Sequence, residues 1–241
     1  MSSRARLALA TIAVQLAWIV ALRRSGLEPR DAPVLRGVLL YGPALLIAGV
    51  GVGVGLRRGL FTPAELGLRR PAWSVRRHWI WFVLALLAMF VAAALVDAVA
   101  PLATLASRGM PFEDIMEHVR RHEYRYTYGR LEPPPAAWNI AVEFIKGVVL
   151  APLAEEVPYR ALFIPVTLSR LSRGNAAIAS GLVFLLVHWL AYGAQPHPAY
   201  FLSGWVFAWA FMFAGLPGAL MVHGGENFGV LVLGTFAAFA L

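Results

Sequence analysis

An all-α, polytopic transmembrane bundle of about seven spans is the fold class this sequence predicts, and three observations predict it. Hydrophobic residues make up 59% of the chain and charged residues only 14%, against roughly 25% charged in an ordinary soluble domain. Mean hydropathy is +0.67, and several apolar runs reach the roughly 20 helical residues that cross a hydrocarbon core of about 30 Å. Those runs are continuous and not alternating, which favours helices, and a spanning helix satisfies its own backbone hydrogen bonds.

Taken in order, the spans fall at 7–22, 35–56, 79–101, 137–169, 175–194, 198–214 and 217–240. The first is short. Arg4 and Arg6 precede it and Arg23 and Arg24 follow it with no small-residue cleavage site before them, so it reads as a retained span and not a signal peptide. The second holds Gly49, Gly51, Gly53 and Gly55, which suit close helix packing in lipid. Residues 102–135 form the longest polar stretch. Within it Phe112, Ile115, Met116 and Val119 make one apolar stripe at i, i+3, i+4, i+7. This predicts a short interfacial helix before the fourth span, or a loop helix packed on neighbouring spans. With no internal repeat and no long linker, the chain reads as one membrane domain over 1–241, its motif-bearing half at 137–241.

Net charge is +8, and Lys146 is the only lysine. The arginines sit in short clusters between apolar runs, where they meet anionic headgroups, so membrane lipids are expected partners and nucleic acid is not. Arg57, Arg58, Arg69, Arg70, Arg76 and Arg77 place the 57–78 loop, and with it the N-terminus, on the cytoplasmic side. Arg23, Arg24, Arg30 and Arg36 run against that orientation. The chain has no cysteine, which excludes disulfides, thiolate metal sites and a cysteine nucleophile.

Ionisable groups inside a span are expensive, so they point to function. Here they concentrate in the second half: Glu143, Lys146, Glu155, Glu156 and Arg160 on the fourth span, His188 on the fifth, and His223, Glu226 and Asn227 on the seventh. Asp97, near the end of the third, stands apart. Glu156 and Arg160 are i, i+4 neighbours suited to an ion pair, while Glu155 points about 100° away and faces something else. Glu143 and Lys146, at i, i+3, read as a structural pair. Pro152 and Pro158 interrupt the same span and free the carbonyls of Val148 and Ala154. Broken backbone at membrane depth belongs where it is buried or lines a wet cavity. Phe184 and His188 share one helix face, and His223 and Asn227 share another. A carboxylate with an imidazole can take a proton from water, and a second imidazole with an amide can stabilise an oxyanion.

The series Glu155-Glu156-x-x-x-Arg160, Phe184-x-x-x-His188 and His223-x-x-x-Asn227 resembles the CPBP family, the CAAX proteases and bacteriocin-processing enzymes also called the ABI family. The resemblance runs from about Val142 to the C-terminus, and Leu66-Gly67-Leu68-Arg69 is similar as well. It implies an intramembrane glutamic-type endopeptidase with no cofactor and no metal. By that likeness Glu155 and His188 activate the attacking water, His223 and Asn227 form the oxyanion hole, and Glu156, Arg160 and Phe184 support them. Pro158 departs from the family pattern, which has a bulky apolar or aromatic residue there, and Glu226 has no role in it.

Rival readings remain open. Two histidines and several carboxylates can bind zinc, although there is no HExxH. A rhomboid-type serine is unsupported, since Phe201-Leu202 precede Ser203-Gly204. The alternatives to a protease are a non-proteolytic scaffold or bacteriocin-immunity protein of the same family, and a proton-coupled transporter using the same acids. An Arg- and Ala-rich composition suggests a GC-rich bacterial genome and hence a bacterial inner membrane. The expected substrate is then a membrane-delivered peptide or protein, such as an exported peptide or a C-terminal sorting segment.

Overall fold

The computed structural model describes residues 1–27, 32–68, 80, 83, 100–128, 133–192 and 198–239. The expected third span therefore lies, apart from a few positions, outside the described residues, as do Arg30, Arg69, Arg70, Arg76, Arg77 and Asp97. Among the described residues the chain is helical and contains no strand. Helix α1 is Ser3–Arg24, α2 is Pro33–Arg57, α3 is Ala100–Ser107 and α4 is Phe112–Tyr128. Then come α5 at Ala137–Leu168, α6 at Arg173–Tyr192 and α7 at Pro198–Phe239. Five of these, α1, α2, α5, α6 and α7, are long and apolar enough to cross a membrane. The protein is a multi-pass helical membrane protein.

Local chemistry sets the boundaries. The Ser2 hydroxyl caps α1 by accepting from the Ala5 N–H, and Gly26, at φ 72°, ends the chain's helical course beyond it. Pro33 opens α2, where its missing N–H is no loss. The Trp18 indole N–H donates to the Leu39 carbonyl at 3.0 Å and ties the first two helices together. Gly51 lets α2 approach Thr11 of α1 and Leu162 of α5.

Helix α7 has 42 residues, about 63 Å at 1.5 Å per residue, or twice a hydrocarbon core. It is in fact two spans. At Gly215 the backbone turns to φ 69°, ψ −164°, a conformation all but reserved for glycine, and Pro217 starts the second limb. The break falls between the expected sixth and seventh spans. It is closed from outside: the Leu216 N–H donates to the carbonyl of Gly67, in the loop after α2, at 3.0 Å. Gly67 is itself at φ 70°, and a Cβ on Gly215 would strike the Gly67 carbonyl. Around this latch lies the main core, with Ala8, Phe61, Leu66, Leu162, Ala208 and Phe211.

Helix α4 is present where the apolar stripe predicts one, and Ile115, Met116 and Val119 of that stripe are buried or partly buried. Ile115 is covered, whereas Phe112 is 73% exposed. The docking is done by Tyr124 and Tyr128, which pack with Leu231 and Ala238 at the end of α7. Tyr128 Oη shares a hydrogen bond of 2.5 Å with Thr235 Oγ1, and Gly234 leaves room for Thr127.

Candidate active site

The polar groups of the second half meet where α5 is irregular. That helix runs as α-turns over Ala137–Glu143, wide π-turns over Phe144–Leu150, α-turns over Ala151–Glu156, π-turns over Val157–Leu162 and α-turns to Leu168. Proline explains the alternation. Pro152 and Pro158 offer no N–H to the carbonyl four residues back, and a π-turn shifts the bonding register past the gap. Thus the Ala151 N–H reaches back five residues to the Lys146 carbonyl.

The carbonyls near these breaks meet groups from other helices. Asn227 Nδ2 of α7 donates to the Gly147 carbonyl at 2.7 Å. The Val148 carbonyl faces Gly224 of α7, so closely that a Cβ there would lie 2.9 Å from it. Gln15 Nε2 of α1 donates to the Ala154 carbonyl at 2.7 Å. The breaks in α5 therefore dock it against its neighbours.

Glu156 and Arg160 form the buried foundation. Both are 0% exposed, with Nη1 of the arginine 3.0 Å from Oε1 of the glutamate. Arg160 Nη2 donates to the Gly204 carbonyl at 3.3 Å. Its guanidinium lies over the rings of Phe184 and Phe207, at 4.5 and 5.0 Å from their centres, a cation–π setting that helps a charge in a desolvated place. The same Oε1 accepts from Nδ1 of His223 at 2.8 Å. The His223 ring stacks on Phe207 at 4.5 Å between centres.

Glu155 turns the other way, as consecutive helical residues must. Its Oε2 lies 3.8 Å from Nε2 of His188 and 4.0 Å from Nε2 of His223, so one carboxylate oxygen faces two imidazoles just beyond direct hydrogen-bond range. His188 is oriented by its own helix, with Nδ1 bonded to the Phe184 carbonyl at 2.9 Å. A carbonyl only accepts, so Nδ1 carries a hydrogen, and when the ring is neutral Nε2 presents a lone pair toward Glu155. Tyr200 stacks on this ring, with centres 4.3 Å apart.

All seven residues expected at the site are thus near one another: Glu155, His188 and His223 around one gap, Asn227 one turn beyond His223, and Glu156, Arg160 and Phe184 behind them. Glu226 is also drawn in, accepting from Ser203 Oγ at 2.7 Å. Glu143 and Lys146 pair at 2.5 Å away from this group, with the lysine stem against Gly37 of α2.

Residues 137–229 match the family described as type II CAAX prenyl endopeptidase Rce1-like. This stretch, 93 of the 241 residues, is similar to the Rce1-like family. It agrees with the CPBP assignment and supports a membrane protease type of function. Comparisons with curated proteins and with solved structures gave no match. The Rce1-like segment contains all seven expected site residues, but not all of what surrounds them. Gln15 lies outside it, and a glutamine within an otherwise apolar first span was the available signal. Tyr200 and Phe207 gave no such signal, since aromatic residues are common throughout the spans.

Proposed function

We propose that the Rce1-like domain hydrolyses a peptide bond in a membrane-delivered substrate without a covalent intermediate, using water activated by Glu155 and His188. The observation that carries this reading is the single Glu155 oxygen lying 3.8 Å from Nε2 of His188 and 4.0 Å from Nε2 of His223. A water in that gap donates one hydrogen to the carboxylate and the other to the His188 lone pair. It then attacks the scissile carbonyl as its proton passes to Glu155. Protonated Glu155 returns that proton to the leaving amine.

The developing oxyanion is met by His223 and Asn227. Nδ1 of His223 is committed to Glu156, so Nε2 is the nitrogen that donates when the ring is protonated. An amide nitrogen has two hydrogens; one of Asn227's is engaged by Gly147, and the other serves the oxyanion. Arg160 offsets the charge of Glu156 and keeps it in place.

The family description names a prenyl endopeptidase for CAAX sequences, so a farnesylated CAAX peptide is the first substrate to try. An exported peptide or a C-terminal sorting segment in a bacterial inner membrane is the natural substrate we favour, with the N-terminus in the cytoplasm. The test uses purified protein in detergent with a fluorescence-quenched farnesylated CAAX peptide, alongside a survey of membrane-protein termini in cells with and without the chain. Glu155→Gln and His188→Ala should each lower turnover by about 10²–10⁴-fold and erase the new termini. Activity that survives both substitutions ends the reading. A phenotype that persists in both variants would favour a scaffold or immunity role, and pH-dependent flux in liposomes would favour a transporter.

A further inference from the structure

We infer that Gln15 is a positioning residue for Glu155, supplying to the Ala154 carbonyl the donor that Pro158 removes. The inference rests on the proposed role of Glu155. In a regular helix the N–H of residue 158 would bond the carbonyl of residue 154; a proline has none to give. The Gln15 amide comes from α1 instead, with Nε2 at 2.7 Å from that oxygen. The side chain is 1% exposed, so no solvent competes for the bond.

Two features separate this from ordinary packing. Ala154 is bonded directly to Glu155, so the plane of their shared peptide sets where the carboxylate leaves the backbone. The bond fixes that plane within the broken part of α5, where the α-turns of Ala151–Glu156 give way to π-turns. Moreover, the Oε1 of Gln15 is buried with no hydrogen-bond partner among the described residues. An unpaired buried acceptor is a standing penalty, which a residue present only to fill space would avoid. Methionine has nearly the same shape without either polar atom. Glutamine at this position is explained by the one bond its amide makes.

Gln15 and Pro158 should therefore be coupled. The test is a double-substitution cycle in the full chain: Gln15→Met, Pro158→Ala and both together, with the farnesylated peptide as probe. Displacement of a catalytic group by about 1 Å can lower turnover by 10²-fold. Gln15→Met should accordingly reduce kcat by at least about 10-fold with KM within about 2-fold, since the substrate's binding contacts are untouched. In the Pro158→Ala background, where a helical N–H is restored, the same change should lower kcat by less than about 3-fold. A merely structural glutamine would leave kcat of the folded protein unchanged, and that result overturns the inference. So does a loss of kcat that is equal in both backgrounds.

Thermal unfolding of the same four proteins supplies a readout that needs no substrate. Gln15→Met should lower Tm more with Pro158 present than with Pro158→Ala, and equal shifts would overturn the proposed bond. If Glu155→Gln keeps parental turnover, the hydrolytic reading has failed on its own account, and the unfolding cycle alone decides whether Gln15 answers Pro158.

Discussion

Asn227 donates its side-chain amide to the carbonyl of Gly147, 80 residues away in the chain and 2.7 Å away in space. This bond joins the second limb of α7 to the first wide turn of α5. It also orients the amide's other hydrogen. Asn227→Asp sets a carboxylate acceptor against a carbonyl acceptor and removes both donors. Turnover should fall by about 10²–10³-fold, the usual effect of losing one oxyanion donor. Unfolding should show a loss of about 1–3 kcal/mol for the orphaned carbonyl. Parental stability in that variant would mean that the bond to Gly147 contributes little.

Glu156 and Arg160 should behave as a unit. Arg160→Met leaves a fully buried carboxylate whose remaining partner among the described residues is His223, and breaking a buried pair in this way costs about 3–5 kcal/mol. Adding Glu156→Gln removes the stranded charge. The double variant should therefore unfold at a higher temperature than Arg160→Met alone, while remaining inactive because His223 then faces a neutral amide in place of a carboxylate. Additive losses of stability would contradict the pairing.

Gly215 is sensitive for two reasons, its dihedral angles and its proximity to Gly67. Gly215→Ala forces a side chain into a region costing about 1–3 kcal/mol and drives its Cβ into the Gly67 carbonyl. A drop of several degrees in Tm is expected, larger than for Gly49→Ala, where a Cβ meets nothing. Comparing the two by thermal unfolding in one detergent separates this break from a generic loss of glycine.

The loop that holds Gly67 also contains a carboxylate sensitive to acid. Glu65 accepts from the Thr62 N–H at 2.8 Å and from Arg4 at 2.7 Å. The Thr62 backbone bond, then Arg4, holds its carboxyl below the ordinary value of 4.5. A group whose value is lowered on folding stabilises above its unfolded value and ceases to do so as pH falls through the folded one. The Tm difference between parent and Glu65→Gln should thus be small and constant near neutrality, because both partners are partly open to solvent. It should close below 4.5. A difference that grows on acidification would refute the assignment.

What could be read from the sequence was mostly local. The pairing of Glu156 with Arg160 follows from their spacing and is present at 3.0 Å. The opposed direction of Glu155 follows from 3.6 residues per turn. The prolines mark where α5 breaks, and Ala154 and Val148 do face other helices there. What could not be read depends on distance in sequence. Nothing in Gly67 announces that its carbonyl will serve Leu216, and no rule of spacing links Gln15 to Ala154. The π-turns lacked a signature as well, since a proline in a span reads equally as a kink. The stripe on α4 pointed to Ile115, which is buried, but not to Tyr124 and Tyr128, amphipathic residues that pack on the end of α7.

The latch between Gly67 and Leu216 limits how portable the motif-bearing half can be. A chimera that grafts residues 137–229 behind a foreign N-terminal half inherits every acid and imidazole of the site, yet not the carbonyl that closes the bend in α7. Unless the recipient brings a tight positive-φ turn to the same depth, the two limbs are free to splay. His223 and Asn227, on the far limb, would then drift from Glu155 with their sequence intact.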